Sequence, residues 1–180
     1  MSKMVFVFAV AAMLSGSAFA AEKGLSGVTP NLNKGTKVLE GSGYINLMAD
    51  EVNIQLGYGK FVADKWEISL VAGLRDSDRY MSTELGIRTE YNLVRNAAFV
   101  PFLSASVVWA DVEADEWDVD TDAAVFSVGG GMKYFLRNDV ALALSASYLW
   151  ATDDIVVDYE DGELEDDDIR VLFSIRFHFN

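Results

Sequence analysis

Ile169-Arg170-Val171-Leu172-Phe173-Ser174-Ile175-Arg176-Phe177-His178-Phe179-Asn180 closes the chain, and its reading decides the fold. Ile169, Val171, Phe173, Ile175, Phe177 and Phe179 take every second place, with Arg170, Leu172, Ser174, Arg176 and His178 between them. Successive side chains of a strand point to opposite faces. One face here is therefore wholly apolar, and the other carries Arg170, Arg176 and His178. A strand of a soluble sandwich buries its apolar face and wets its charges. A strand of a membrane barrel does the reverse, with apolar residues toward lipid and polar ones toward the lumen. This stretch alone fits either arrangement, so the rest of the chain has to decide.

The same alternation recurs upstream. Gly43, Ile45 and Leu47 form a first, weak row, and Val52, Ile54, Leu56 and Tyr58 a second. Trp66 to Leu74, Met81 to Leu93, Leu103 to Trp109, Ala124 to Tyr134 and Val140 to Trp150 supply five more, each advancing by two. With the row from Ile169 this makes eight. Most runs approach the ~9–11 residues a tilted strand needs to cross a bilayer, whereas strands of soluble domains are nearer ~5–6. Period-two patterning this persistent argues against helix. A soluble lipocalin-like barrel would need every apolar row inside, which leaves no polar lumen.

The connections point the same way. Turns after the second, fourth and sixth rows are short: Val62 to Lys65, Val94 to Ala98 and Leu136 to Asp139. After the fifth and seventh rows come the acidic stretches Asp111 to Asp122 and Ala151 to Asp168, read as long loops at the opposite end. Short periplasmic turns and longer external loops are the asymmetry of an outer-membrane barrel. Tyr58, Trp66, Tyr91, Tyr134 and Phe179 cluster near the turn end, and Trp109, Tyr148 and Trp150 near the loop end, as amphipathic rings do at headgroup depth. Pro101 opens a strand, where it need not donate a ladder bond. The fold class is all-β: an eight-stranded antiparallel transmembrane barrel, an up-and-down meander.

The beginning of the chain reads as an address. Lys3 precedes an apolar stretch, Met4 to Leu14, too short to span a bilayer, and Ala18-Phe19-Ala20 is an A-x-A cleavage site. Residues 1–20 are a secretory signal peptide by this pattern. Residues 21–40, with Gly24, Gly27, Pro30, Asn31, Asn33 and Gly35, read as a flexible periplasmic lead-in in which Val38 and Leu39 could begin the first strand. The barrel is expected over residues 41–180. The formal net charge is −14, which argues against nucleic acid as a partner, because phosphate binding needs clustered Lys and Arg. The absence of Cys and a single His make a zinc or haem site unexpected.

Three stretches carry a family resemblance: Gly57-Tyr58-Gly59-Lys60-Phe61-Val62-Ala63-Asp64, Pro101-Phe102-Leu103-Ser104-Ala105, and Gly129-Gly130-Gly131-Met132-Lys133-Tyr134-Phe135-Leu136 with Val140-Ala141-Leu142. They resemble the small eight-stranded outer-membrane β-barrel proteins of Gram-negative bacteria, X- and W-type porin-like relatives included. The resemblance implies outer-membrane localisation, with membrane lipid and lipopolysaccharide as surroundings and the barrel-assembly machinery as a partner in biogenesis. It makes Phe179 the terminal aromatic of the assembly signal, with Asn180 a departure from the usual ending. Function differs among such proteins, so no catalytic residue carries over.

The residues themselves give no enzyme. His178 lies near the turn end, far from the acidic stretches, and reads as a structural lumen histidine. Glycines 129 to 131 sit inside a strand and lack the G-x-x-x-x-G-K-[ST] spacing of a phosphate loop. No cofactor is expected. Nine charged residues are assigned to the polar face: Lys60, Glu67, Arg75, Glu84, Arg88, Glu90, Lys133, Arg170 and Arg176. An eight-stranded barrel is about narrow enough for side chains to fill it, and mixed charges inside should pair. Two roles stay open: a barrel with a structural or surface-interaction role, its lumen plugged by an ionic network, or a narrow channel for small or hydrophobic solutes. Asp118, Asp120, Asp122, Asp166, Asp167 and Asp168 suit a solvated surface that binds calcium or magnesium weakly at many points. Asp118-Val119-Asp120-Thr121-Asp122 opens like an EF-hand but lacks its Gly and closing Glu, so no high-affinity metal site is expected.

Overall fold

The computed structural model describes residues 27–46, 51–77, 81–94, 97–114, 119–153, 156–157, 164–165 and 167–180. The proposed signal peptide, Asp118 and Asp166 lie outside them, as do the side chains of Asp120 and Asp168. Among these residues ten strands follow in order: β1 Lys37–Asn46, β2 Glu51–Ala63, β3 Trp66–Ser77, β4 Met81–Asn92, β5 Phe99–Ala114, β6 Val119–Arg137, β7 Val140–Ala151, β8 Val156–Val157, β9 Leu164–Glu165 and β10 Asp167–Phe179. All but β8 and β9 form one closed antiparallel barrel, each strand beside its sequence neighbour, with β10 returning to β1. Closure pairs Lys37 with Phe179 and Glu40 with Arg176. Among the described residues β8 and β9 pair only with each other.

The alternation read from the sequence turns apolar rows outward. Ile54, Leu56, Leu70, Leu85, Ile87, Val128, Leu144 and Phe173 are all exposed on the outer wall, while Asn53, Gln55, Ser69, Glu84 and Ser174, each next to one of them, are buried inside. Burial is thus inverted relative to a water-soluble domain, as a lipid-facing wall requires. Tyr58, Trp66, Tyr91, Trp109, Trp150 and Phe179 point outward near the strand ends, where headgroups meet both water and acyl chains.

Two hairpins share one device. β2 to β3 and β6 to β7 turn through two residues each, Asp64-Lys65 and Asn138-Asp139, and each has a register shift just before the turn, at Phe61/Ala63 and Phe135/Arg137. The extra residue of a bulge bends the strand. Here it leaves Val62 and Leu136 exposed while Phe61 and Phe135 are fully buried inside.

Two expectations are corrected. The barrel starts earlier than Gly41: β1 begins at Lys37, because the inward row runs back through Ser42 and Glu40 to Val38. The acidic stretch Asp111 to Asp122 is largely strand rather than loop. β5 and β6 continue as a ladder past Trp109 and pair Asp111 with Asp122, Glu113 with Asp120 and Ala114 with Val119. Like charges directly opposite are unfavourable, yet alternating Val112, Val119 and Thr121 keep β propensity high enough for pairing to persist.

Candidate functional site in the barrel lumen

The lumen is filled in three layers. The outer layer is Glu84 of β4 held by Arg170 of β10, whose two terminal nitrogens donate to the two carboxylate oxygens at 2.9 and 3.0 Å. Arg75 of β3 approaches the same carboxylate at 3.8 Å. β4 and β10 lie diametrically opposite in the strand order, so this forked pair spans the full lumen.

The middle layer is a continuous chain of six charges. Lys133 of β6 pairs with Glu90 of β4 and lies 3.8 Å from Glu67 of β3. Arg176 of β10 reaches Glu90 at 2.7 Å and Glu40 of β1 at 3.2 Å. Arg88 of β4 completes the chain with a forked pair to Glu40. Glu67 and Glu90 are register partners on adjacent strands, a like-charge pair that Lys133 relieves. Arg176 to Glu90 repeats the β10-to-β4 crossing of Arg170 to Glu84 six residues further along both strands. Six residues at ~3.3 Å each, on tilted strands, set the two crossings about 15 Å apart along the axis.

Phe102 is the ring within this layer. It is buried, and Lys133 Nζ and the Arg176 guanidinium lie 5.2 and 5.1 Å from its centroid. Its register partner is Gly131. A Cβ there would stand 2.8 Å from both Phe102 Cζ and Ser145 Cα, so the glycine run is a seat for the ring.

The charges come mainly from β1, β3, β4 and β10, and the facing wall of β5, β6 and β7 is small. Ser104, Ser106, Ser127, Ser145 and Ser147 line a cavity between the two crossings, and the Ser106 and Ser127 hydroxyls are hydrogen-bonded at 2.7 Å. The cavity holds about 60 Å³; at ~10–15 Å³ per water it takes a few waters.

The inner layer is an apolar floor. Leu32, Val38, Phe61, Val100, Phe135 and Ala141 form one buried cluster, with Val28 packed against it. The buried His178 ring lies over it, 5.1 Å from Phe135 and 6.0 Å from Phe61. Residues 28–36 were expected to be a flexible lead-in; the structure docks them under this floor. Gly35 N donates to Phe61 O at 2.8 Å, Phe61 N to Thr36 O at 2.8 Å, Lys65 N to Leu32 O at 2.8 Å and Asn31 N to Asn138 O at 2.9 Å. Asn31 organises the segment, accepting from Thr36 Oγ1 at 2.9 Å and Asn33 Nδ2 at 3.1 Å. Asn31→Ala should lower stability by about 1–2 kcal/mol, because it orphans the buried Thr36 hydroxyl. Urea titration of the refolded barrel measures this, and an unchanged midpoint would show that the segment does not stay docked.

Eight of the nine residues assigned to the lumen face it. Lys60 does not: Phe61 and Gly59 are buried on either side of it, and Lys60 is exposed on the outer wall. Period two fixes this, since Gly57 and Gly59 belong to the inward row. Glu40 and Phe102 complete the network and were not assigned. Extending the polar row opposite Gly43 and Ile45 back two places from Ser42 would have given Glu40, and the glycine run marks the site of Phe102. Of the acidic residues, Asp122 is exposed, and Asp167 accepts a hydrogen bond from the Tyr148 hydroxyl. Among the described residues no group of three or more His, Cys, Asp or Glu is placed to hold a metal ion.

A closed barrel of eight lipid-facing strands around a charged lumen defines a class, the small transmembrane β-barrels. Residues 6–177 match the family described as outer membrane protein beta-barrel domain. The chain belongs to that family. Comparison with curated proteins gave no sequence match. Among solved structures it is similar to the N-terminal β-barrel domain of Pseudomonas aeruginosa OprF, with TM-score 0.61 and 16% identity over 81% of this chain and 98% of that one. It is also similar to Neisserial surface protein A, with TM-score 0.56 and 11% identity over 80% and 95%. A third is the outer membrane protein OprG from Pseudomonas aeruginosa, with TM-score 0.51 and 12% identity over 84% and 98%. At these identities the likeness is one of fold.

Proposed function

We propose that the protein is a non-enzymatic, non-conducting outer-membrane barrel whose work is done by its walls and external end rather than by its lumen. One observation carries this reading: two ion-pair crossings between β4 and β10, at separate depths, bridge the full width of the lumen. Each is charge-assisted, and Arg170 and Arg88 make forked contacts, the strong form of such bonds. Conduction would need both crossings to part and the docked segment to leave the floor. Export through the signal peptide and recognition of Phe179 by the assembly machinery belong to the same reading.

Single-channel recording of the refolded protein in a planar bilayer tests it. The expected result is a quiet bilayer across the usual voltage range. Steady ohmic conductance would overturn the plugged reading in favour of a narrow channel.

A further inference from the structure

The misassigned Lys60 has a neighbour. In the β1–β2 ladder its register partner is Lys37. Lys37 lies on the outer face as well, since Val38 beside it is buried inside and Leu39 and its other partner Phe179 are exposed outside. Two ammonium-bearing side chains therefore spring from directly opposed positions on the lipid-facing wall. Cβ atoms of such a pair are ~4.5–5.5 Å apart, and like charges so placed repel. Neither lysine makes an ion pair with a described residue: at this end Asp139 pairs with Arg137, Asp64 accepts from Lys34 N, and Glu40, Glu67 and Glu90 are committed inside.

Depth identifies what relieves the repulsion. One outward step toward the membrane centre lies the register pair Leu39 and Tyr58, both about half exposed on the apolar wall. Two strand residues are ~6.6 Å. The lysine stems thus continue the apolar surface while their ammonium groups reach headgroup level, beside Phe179 and the ring of turn-end aromatics. This is the periplasmic end, where the leaflet is phospholipid. We infer that Lys37 and Lys60 form a clamp for the phosphate of an anionic phospholipid in the periplasmic leaflet. A glycerol headgroup suits it better than ethanolamine, whose own ammonium competes for the phosphate and adds a third positive charge. The inference does not depend on whether the lumen conducts.

The test uses the refolded protein in vesicles of phosphatidylethanolamine and phosphatidylglycerol, with the retained lipid identified by native mass spectrometry. The wild-type barrel should retain phosphatidylglycerol at least about fivefold above its bulk fraction, the scale of one basic residue at an anionic surface. Lys37→Gln with Lys60→Gln should abolish the enrichment while keeping heat-modifiable mobility. Lys34→Gln with Arg137→Gln removes the same charge from rim positions outside the clamp and should preserve it. No enrichment in the wild type would overturn the clamp. Equal loss in both double variants would also overturn it, by showing only a diffuse basic rim.

Discussion

Glu90→Ala should destabilise the barrel by about 3–5 kcal/mol, the usual cost of removing one partner from a buried ion pair. Glu90 is the node of the middle layer: one oxygen takes Lys133 of β6 and the other Arg176 of β10, the strand directly across the lumen. Without it, among the described carboxylates Lys133 keeps only the 3.8 Å approach to Glu67, and Arg176 keeps only Glu40. Both cations also stand over the Phe102 ring, which offers no carboxylate to replace the one removed. The network predicts non-additivity as well. Lys133→Met alone leaves Glu67 and Glu90 opposed across β3 and β4. Adding Glu67→Gln removes a balanced pair and leaves Glu90–Arg176–Glu40–Arg88 neutral overall, so the double variant should be more stable than Lys133→Met alone. Unfolding in urea, followed by tryptophan fluorescence and by heat-modifiable mobility, gives both numbers. Additive losses would mean that the six charges are not one coupled network.

How much of this was legible follows from what period two can carry. It gives the face of every residue once the register is known, so the outer wall and eight of the nine assigned lumen charges could be read directly. Lys60 was misplaced by reading charge type ahead of parity: a lysine looked like a lumen residue although Gly57 and Gly59 already occupied the inward row. Pairing was not legible at all. Arg176 meets Glu90 and Arg170 meets Glu84 because β10 closes on β1 and so comes to face β4, a relation between residues 86 positions apart. The strand nature of residues 111–114 and 119–122 was hidden by composition, since alternating acidic residues suggest a solvated loop and only the β5–β6 register shows them paired. The docking of residues 28–36 was hidden for a related reason. Its glycines, asparagines and Pro30 are loop residues in type, and Leu32, its anchor in the apolar floor, has no periodic partner to announce it.

Ile87→Arg should cost about 2–4 kcal/mol, and the size of the loss should depend on depth rather than on the charge itself. Arg88, the next residue, is native and tolerated because it points inward to Glu40. Position 87 is exposed on the outer wall, between Tyr91 at the turn end and Leu85, whose register partner is the loop-end Trp109. It therefore sits near the middle of the hydrocarbon, where a guanidinium has neither a carboxylate nor water. Leu85→Arg should cost less, because at the level of Trp109 the side chain can snorkel to the external headgroups. Lys60 marks the other limit: a native cation on the same wall, borne at headgroup depth. Equilibrium unfolding in phospholipid vesicles, comparing the two arginine variants with the wild type, reads the gradient. Equal costs at 85 and 87 would mean that the membrane is centred elsewhere on β4. A negligible cost at 87 would place that row out of lipid altogether and would undo the inside-out burial on which the barrel reading rests.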